Sequence, residues 1–219
     1  MSINSPYTSI HDLPVTLPLF PLDGVILFPR SQLPLNIFEA RYLQMVDDVI
    51  RGDRLIGLIQ PQKEWNRSSV TLNEVGAVGR ITHLSETGDG RYSVVLTGIS
   101  RFRTVSETLS QRLYREFRVD YTEFGSDLMR ISDPRFDRRE LLQALLSFAK
   151  SNKMKLDWES IQSATDESLV NALSMMSPLS PSAKQRLLEA KTLSERSAIL
   201  IAMVEIELIK SAAGLSALQ

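Results

Sequence analysis

The stretch LPLFPLDGVILFPRSQLPLNIFEARYL, residues 17–43, decides how the first half of the chain is built. Three short apolar runs lie in or beside it, Val15–Phe20, Val25–Phe28 and Leu33–Ile37, separated by proline or by Asp23-Gly24. Each run is too short for a stable helix. Proline brings no backbone N–H to a ladder and belongs at strand ends, edges and turns. The habit breaks at Glu39. From there Tyr42, Leu43, Val46, Val49 and Ile50 recur at helical spacing, while Arg41, Gln44 and Asp48 mark the opposite face. The pattern predicts short strands followed by one amphipathic helix over Glu39–Ile50.

Strand-like runs continue beyond that helix, at Leu55–Gln60, Val75–Leu84, Tyr92–Gly98, Phe102–Thr108 and Tyr114–Tyr121. Gly88-Asp89-Gly90 between two of them is a hairpin signal, because glycine accepts the positive φ of a tight turn. Nine of the ten glycines fall between Gly24 and Gly125, and seven of the ten prolines precede residue 126. Both residues punctuate turns and are disfavoured inside helices. The chain therefore reads as α+β, with an N-terminal arm over 1–12, a β-rich part over 13–125 and a helical part over 126–219. Seven or eight short strands with a single helix suggest a partly closed barrel or a sandwich. Asp133-Pro134 is the expected stop before the first long helix.

The second part carries its own helix starts. Ser180 before Pro181 fits an N-cap with proline in the first turn, and Thr192-Leu193-Ser194-Glu195 has the spacing of a capping box. Leu141, Leu142, Leu145, Leu146 and Phe148 make one apolar face, and Ile199, Met203, Ile206 and Ile209 another. Four or five helices are expected.

Composition removes most chemistry. The 25 basic and 26 acidic side chains leave a net charge of −1, which argues against a nonspecific nucleic-acid coat or a basic membrane patch. No cysteine is present, which removes thiol catalysis, iron–sulfur clusters and cysteine-based zinc sites. The only histidines, His11 and His83, do not form an HExxH pair. No Gly-Lys pair exists to start a Walker A loop, and GxSxG is absent. Lys150, Lys153 and Lys155 flank Ser151, but in a polar stretch they read as a solvated helix end. Arg101 and Arg103 around Phe102 read as surface arginines flanking a core ring, since alternation sends them to the other face. The N-terminus lacks a secretion signal, and the longest apolar run, Ala198–Val204, is far short of the roughly 20 residues a bilayer requires. A soluble, cytoplasmic protein without metal or cofactor is the expectation.

The same 17–43 stretch resembles the opening of the N-terminal substrate-binding domain of the Lon ATP-dependent protease family. The resemblance continues in order through VGAVGRI (75–81), DGRY (89–92) and LTGISRFR (96–103), so that it covers most of residues 13–125. Asp157-Trp158 and LVNALSMMSPLSPSAKQRLLEA (169–190) are similar to the helical extension of stand-alone bacterial members, which carry that domain alone. The resemblance implies a PUA-like β subdomain followed by a helical bundle. It also implies a binding module without the ATPase and Ser–Lys protease modules, for which the sequence to Gln219 leaves no room, and no zinc-bound domain of the cereblon type. Pro18, Pro21, Pro29 and Pro34 suit strand ends; Gly24, Gly76, Gly79 and Gly98 suit turns or close backbone approach; Phe20, Phe28, Phe38 and Phe102 suit the core.

The leading functional expectation is a non-catalytic module that holds unfolded or apolar protein segments, or docks on a protease or chaperone. An RNA-binding module on a PUA-like fold is the alternative, weakened by the balanced charge. The expected partner contact is the start of the Glu39–Ile50 helix, where Glu39, Arg41 and Gln44 surround Tyr42 as an aromatic anchor. With no phosphate cradle in the sequence, micromolar Mg-ATP should leave the melting temperature unchanged; a specific ligand would raise it in a saturable way, which a thermal-shift titration reads directly.

Overall fold

The computed structural model describes residues 7–62, 71–129, 136–151 and 157–212. The chain divides into two compact units, Met1–Ile131 and Ser132–Gln219. Asp133-Pro134, Lys153 and Lys155 lie outside the described residues.

The first unit is a mixed six-stranded sheet: β1 (Thr16–Pro21), β2 (Gln32–Ile37), β3 (Leu55–Ile59), β4 (Val75–Thr87), β5 (Arg91–Thr108) and β6 (Arg115–Asp120). A single α-helix among its described residues, α1 (Ala40–Ile50), follows β2. The strand order is β2-β5-β4-β3-β1-β6, and β5 pairs with β6 as well. Five strands therefore form a circuit of pairings while β2 hangs on β5 as an edge. The result is a partly closed barrel rather than a clean one. All pairs are antiparallel except β1 with β3, which runs parallel from Leu19 opposite Gly57 to Pro21 opposite Ile59. Pro34 can stand in mid-strand because β2 has a partner on one side only.

Strand β5 makes the closure possible. The sequence pattern predicts two strands, Tyr92–Gly98 and Phe102–Thr108; the structure joins them into one of 18 residues. One edge stays on β4 from Arg91 to Arg103, while the other passes from β2, on Tyr92–Thr97, to β6, on Arg103–Thr108. Register shifts at Val78/Gly79, Ile81/His83 and Thr104/Ser106 supply the bend that such a crossing needs. Gly98 sits in the middle of the turn-over. A Cβ there would lie 2.0 Å from the Phe28 carbonyl oxygen, so that only glycine lets the 25–31 segment cross β5. That segment is another departure from expectation. Val25–Phe28 lies outside the six strands, and Ile26, Leu27, Phe28 and Pro29 are buried in succession as the segment crosses β5. The Gly88–Gly90 hairpin forms as expected between β4 and β5, with Gly90 at φ +78°.

The core gathers Leu17 and Leu19 of β1, Leu55 and Ile59 of β3, Val78 of β4, Phe102 of β5, and Phe117 and Val119 of β6. Tyr7 and Ile10 pack against it from a capped 3-10 turn, Ile10–Asp12, in what the sequence offered only as an arm.

A second 3-10 segment, Thr122–Leu128, overturns the reading of Arg101. Alternation does place Arg101 opposite Phe102, but that face is covered, and Arg101 is only 2% exposed. Asp127 Oδ2 accepts from both the Arg101 backbone N–H and Nε at 2.9 Å, and Oδ1 accepts from Nη2 at 2.8 Å. The guanidinium lies 4.6 Å from the Phe124 ring centroid. Arg30 Nη1 donates to the Asp127 carbonyl oxygen at 2.6 Å. Arg103 remains at the surface, paired to Glu74 and Glu123.

The second unit holds five helices among its described residues: α2 (Arg138–Ser151), α3 (Trp158–Ser163), α4 (Asp166–Met176), α5 (Pro181–Glu189) and α6 (Leu193–Ala212). Ser180 caps α5 by accepting from the Ala183 N–H at 3.3 Å. Thr192 accepts from the Glu195 N–H at 3.1 Å, and the Glu195 carboxylate returns to the Lys191 N–H at 2.8 Å. Helix α6 packs against α2, α4 and α5. Its buried stripe is Leu200, Ile201 and Val204, not the expected Ile206 and Ile209, which are exposed. Leu146 is likewise exposed, while Leu141, Leu145 and Ala149, four residues apart, form the buried line of α2. Both shifts arise because periodicity finds an apolar sector but packing chooses its centre. Arg196 is buried and donates to Asn171 Oδ1 at 2.7 Å.

Removing one partner of a buried, hydrogen-bonded ion pair leaves an uncompensated charge and costs about 3–5 kcal/mol, whereas replacing both by apolar groups is often neutral. Asp127→Ala should therefore lower unfolding free energy by about that amount. Arg101→Met combined with Asp127→Leu should recover most of it in urea denaturation.

Candidate functional site

Helix α1 starts where β2 stops, and the turn-over sorts its side chains. Ile37 points inward and is buried; Phe38 follows and is 63% exposed, with the Arg91 guanidinium 5.9 Å from its ring centroid. Phe38 thus departs from its expected place in the core, because strand alternation gives the inward position to Ile37. Glu39 is the N-cap residue, with extended backbone and no side-chain cap bond. Its carboxylate turns instead to Arg41, accepting from Nε at 2.9 Å and Nη2 at 2.7 Å. Both side chains are about half exposed, so the pair is screened and contributes little to stability.

Tyr42 does not present an aromatic face to a partner. It is 4% exposed, with its ring centroid 4.3 Å from that of Phe20 on β1 and the Arg41 guanidinium 4.5 Å from its centre. Burial pushes its hydroxyl pKa up, and the Arg41 charge opposes that. Tyr42, Met45 and Val46 are the buried side of α1.

The polar side of α1 is engaged too. Gln44 Oε1 accepts from the Leu113 backbone N–H at 3.2 Å. Asp48 Oδ2 accepts from the Tyr114 hydroxyl at 2.9 Å and from Arg112 Nη1 at 3.4 Å. Arg112 also donates to the Tyr114 hydroxyl oxygen. Asp47 accepts from the Tyr92 hydroxyl at 2.8 Å, a bond that raises the Tyr92 pKa. Gln44 and Asp48, read from the sequence as a solvated face, thus tie the β5–β6 connection, residues 109–114, to the helix. That connection carries Leu109, fully exposed, and Leu113, 64% exposed. No sequence signal marked these leucines, since an apolar residue beside a strand is ordinarily read as core.

The structure therefore keeps Glu39, Arg41 and Gln44 on one exposed side of α1, withdraws Tyr42, and adds Phe38 and the 109–114 connection. His11 and His83 are both exposed. Among the described residues no group of three or more His, Asp or Glu side chains is placed to hold a metal ion, and no helix is long and apolar enough to cross a membrane.

A partly closed β-barrel with one helix, followed in sequence by a helical unit, is the fold of Lon N-terminal domains. A Lon N-terminal domain protein from Xanthomonas campestris superimposes with a TM-score of 0.62 at 22% identity, over 85% of this chain and 97% of that one. The N-terminal domain of Mycobacterium avium complex Lon protease gives 0.61 at 14% identity, over 87% and 98%. The family model of the ATP-dependent protease La (LON) substrate-binding domain matches residues 16–205, and the chain belongs to that family. Lon protease 2 of Myxococcus xanthus is 33% identical over 115 residues, and the Lon protease of Flavobacterium johnsoniae 26% identical over 214. Those matches take in 52% and 91% of this chain but only 14% and 25% of the two proteases.

Because Asp48 holds the connection through two donors, Asp48→Ala should speed hydrogen exchange at the Leu113 amide severalfold. The amides of β3 should be unaffected if the change is local, as hydrogen-exchange mass spectrometry will show.

Proposed function

We propose that this chain is a non-catalytic polypeptide-binding module that takes hold of unfolded or apolar protein segments in the cytoplasm. Docking on a separate protease or chaperone would use the same surface. The match of residues 16–205 to a substrate-binding domain carries this reading. The contact surface in this proposal is the exposed start of α1, with Phe38 as the apolar anchor and Glu39, Arg41 and Gln44 as its polar border. An anchor beside paired charges has the composition of small recognition surfaces, in which a ring is buried on binding and the rim stays hydrated.

The RNA-binding alternative fares less well. Arg41, Arg103, Arg112 and Arg115 each face carboxylates at 2.7 Å, 2.6 Å, 3.4 Å and 2.7 Å. Phosphate binding needs clustered cations, and a cation already matched by a carboxylate attracts phosphate weakly.

The test is binding of a fluorescently labelled, permanently unfolded protein to the chain. Phe38→Ser combined with Arg41→Ala should weaken it about tenfold, equivalent to about 1.4 kcal/mol. Lys191→Ala, an exposed change in the second unit, should leave it unaltered. No detectable binding by the unaltered chain, with no enrichment over an unrelated domain, would remove the proposal.

A further inference from the structure

We infer that the β5–β6 connection is a second, preorganised contact element of this surface, which takes an uncharged apolar stretch of extended polypeptide through Leu109 and Leu113. The inference rests on the polypeptide-binding reading above and adds where, and to what chemistry, the chain binds.

The geometry starts from exposure. Leu109 is fully exposed and Leu113 is 64% exposed, although the connection between them is only a few residues long. Two leucines turned to water on a floppy loop would gain little, since ordering the loop would consume what burial supplies. Here the Leu113 end of the loop is already held by the helix beside it. The Leu113 N–H is held by Gln44, and the next residue, Tyr114, is buried with its hydroxyl on Asp48. Ser110 adds a bond within the loop, accepting from the Arg112 N–H at 3.2 Å. Gln44 lies one helical turn from Arg41 on the same side of α1, so Leu113, bonded to Gln44, stands beside the polar part of that surface.

The charges around the leucines select the occupant. Arg112 stands 3.4 Å from Asp48 and 3.7 Å from Glu116. Arg115 is gripped by Glu107 through Nε and Nη2, both at 2.7 Å, and those bonds hold the Glu107 carboxyl below the usual glutamate range. The rim thus presents matched charges of both signs. A charged segment would shed water there without finding an opposite charge, whereas an uncharged apolar segment buries leucine against leucine. Salt screening should consequently matter little.

The probe is a fluorescein-labelled extended peptide of leucine and serine residues, read by fluorescence anisotropy with the full chain. Leu109→Ser combined with Leu113→Ser should weaken binding at least tenfold. Leu109→Met with Leu113→Met, which keeps the apolar surface, should bind as the unaltered chain does, as should Val15→Ser, which removes a different exposed apolar side chain. Affinity should change less than twofold between about 0.05 M and about 0.5 M salt, conditions that span strong and weak screening. Unchanged affinity in the serine pair, while Phe38→Ser with Arg41→Ala still weakens binding, would overturn this inference and leave the polypeptide-binding reading standing. A steep loss of affinity with salt would overturn the choice of an uncharged occupant. Failure of the unaltered chain to bind either this peptide or an unfolded protein would remove both.

Discussion

The first unit depends on one strand serving two halves of a barrel, and on the buried ion pair that lets it do so. Strand β5 keeps β4 on one edge to Arg103 while its other edge changes partner from β2 to β6, and Arg101 lies on the stretch between those two partners. The 3-10 segment after β6 folds back over that stretch, and Asp127 locks onto the backbone and guanidinium of Arg101. Charges are costly to desolvate, so such a pair persists only with nearly complete hydrogen bonding. The three bonds from Arg101, the Phe124 ring beneath it and the Arg30 bond to the Asp127 carbonyl supply that. An apolar cover could stabilise the same spot. A fork of directed bonds additionally allows only one register for the segment that closes the barrel.

The surface around α1 follows from that closure. Once β6 returns beside β5, the connection between them must pass near the helix, and Gln44 and Asp48 are there to receive it. Two functions are thereby laid over one short helix. Its Tyr42 side packs on Phe20 and joins helix to sheet, and its polar side orders a loop that would otherwise sample many conformations. The outward side chains there include Phe38, the Glu39–Arg41 pair, Gln44 and the two leucines of the connection. In the proposed function such a surface would bind transiently, since its exposed apolar side chains are few and its charges are hydrated.

Much of this fold is legible in the sequence. The division into a β-rich and a helical part, helix α1 of the first part, the Gly88–Gly90 hairpin and the Ser180 cap all follow from local chemistry. Such features depend on backbone preferences and on bonds spanning a few residues, which a sequence displays directly. The misplacements share another cause. Arg101 was assigned to the surface, Phe38 to the core, Tyr42 to a contact and Leu146 to a packed face, and each depends on what lies opposite it in space. Val25–Phe28 reads as a strand because it is apolar and short, but it lies outside the six strands of the sheet.

The sequence by itself determined the division into a β-rich and a helical part, because proline and glycine spacing and helical periodicity act locally and can be read in order along the chain; the kind of module came from the resemblance of its motifs to the Lon family. The tertiary structure alone decided which side chains face outward. Asp127 meets Arg101 from 26 residues away and Gln44 meets Leu113 from 69 away. Contacts at that separation are chosen by how strands cross and close, and no periodicity in the sequence encodes that crossing.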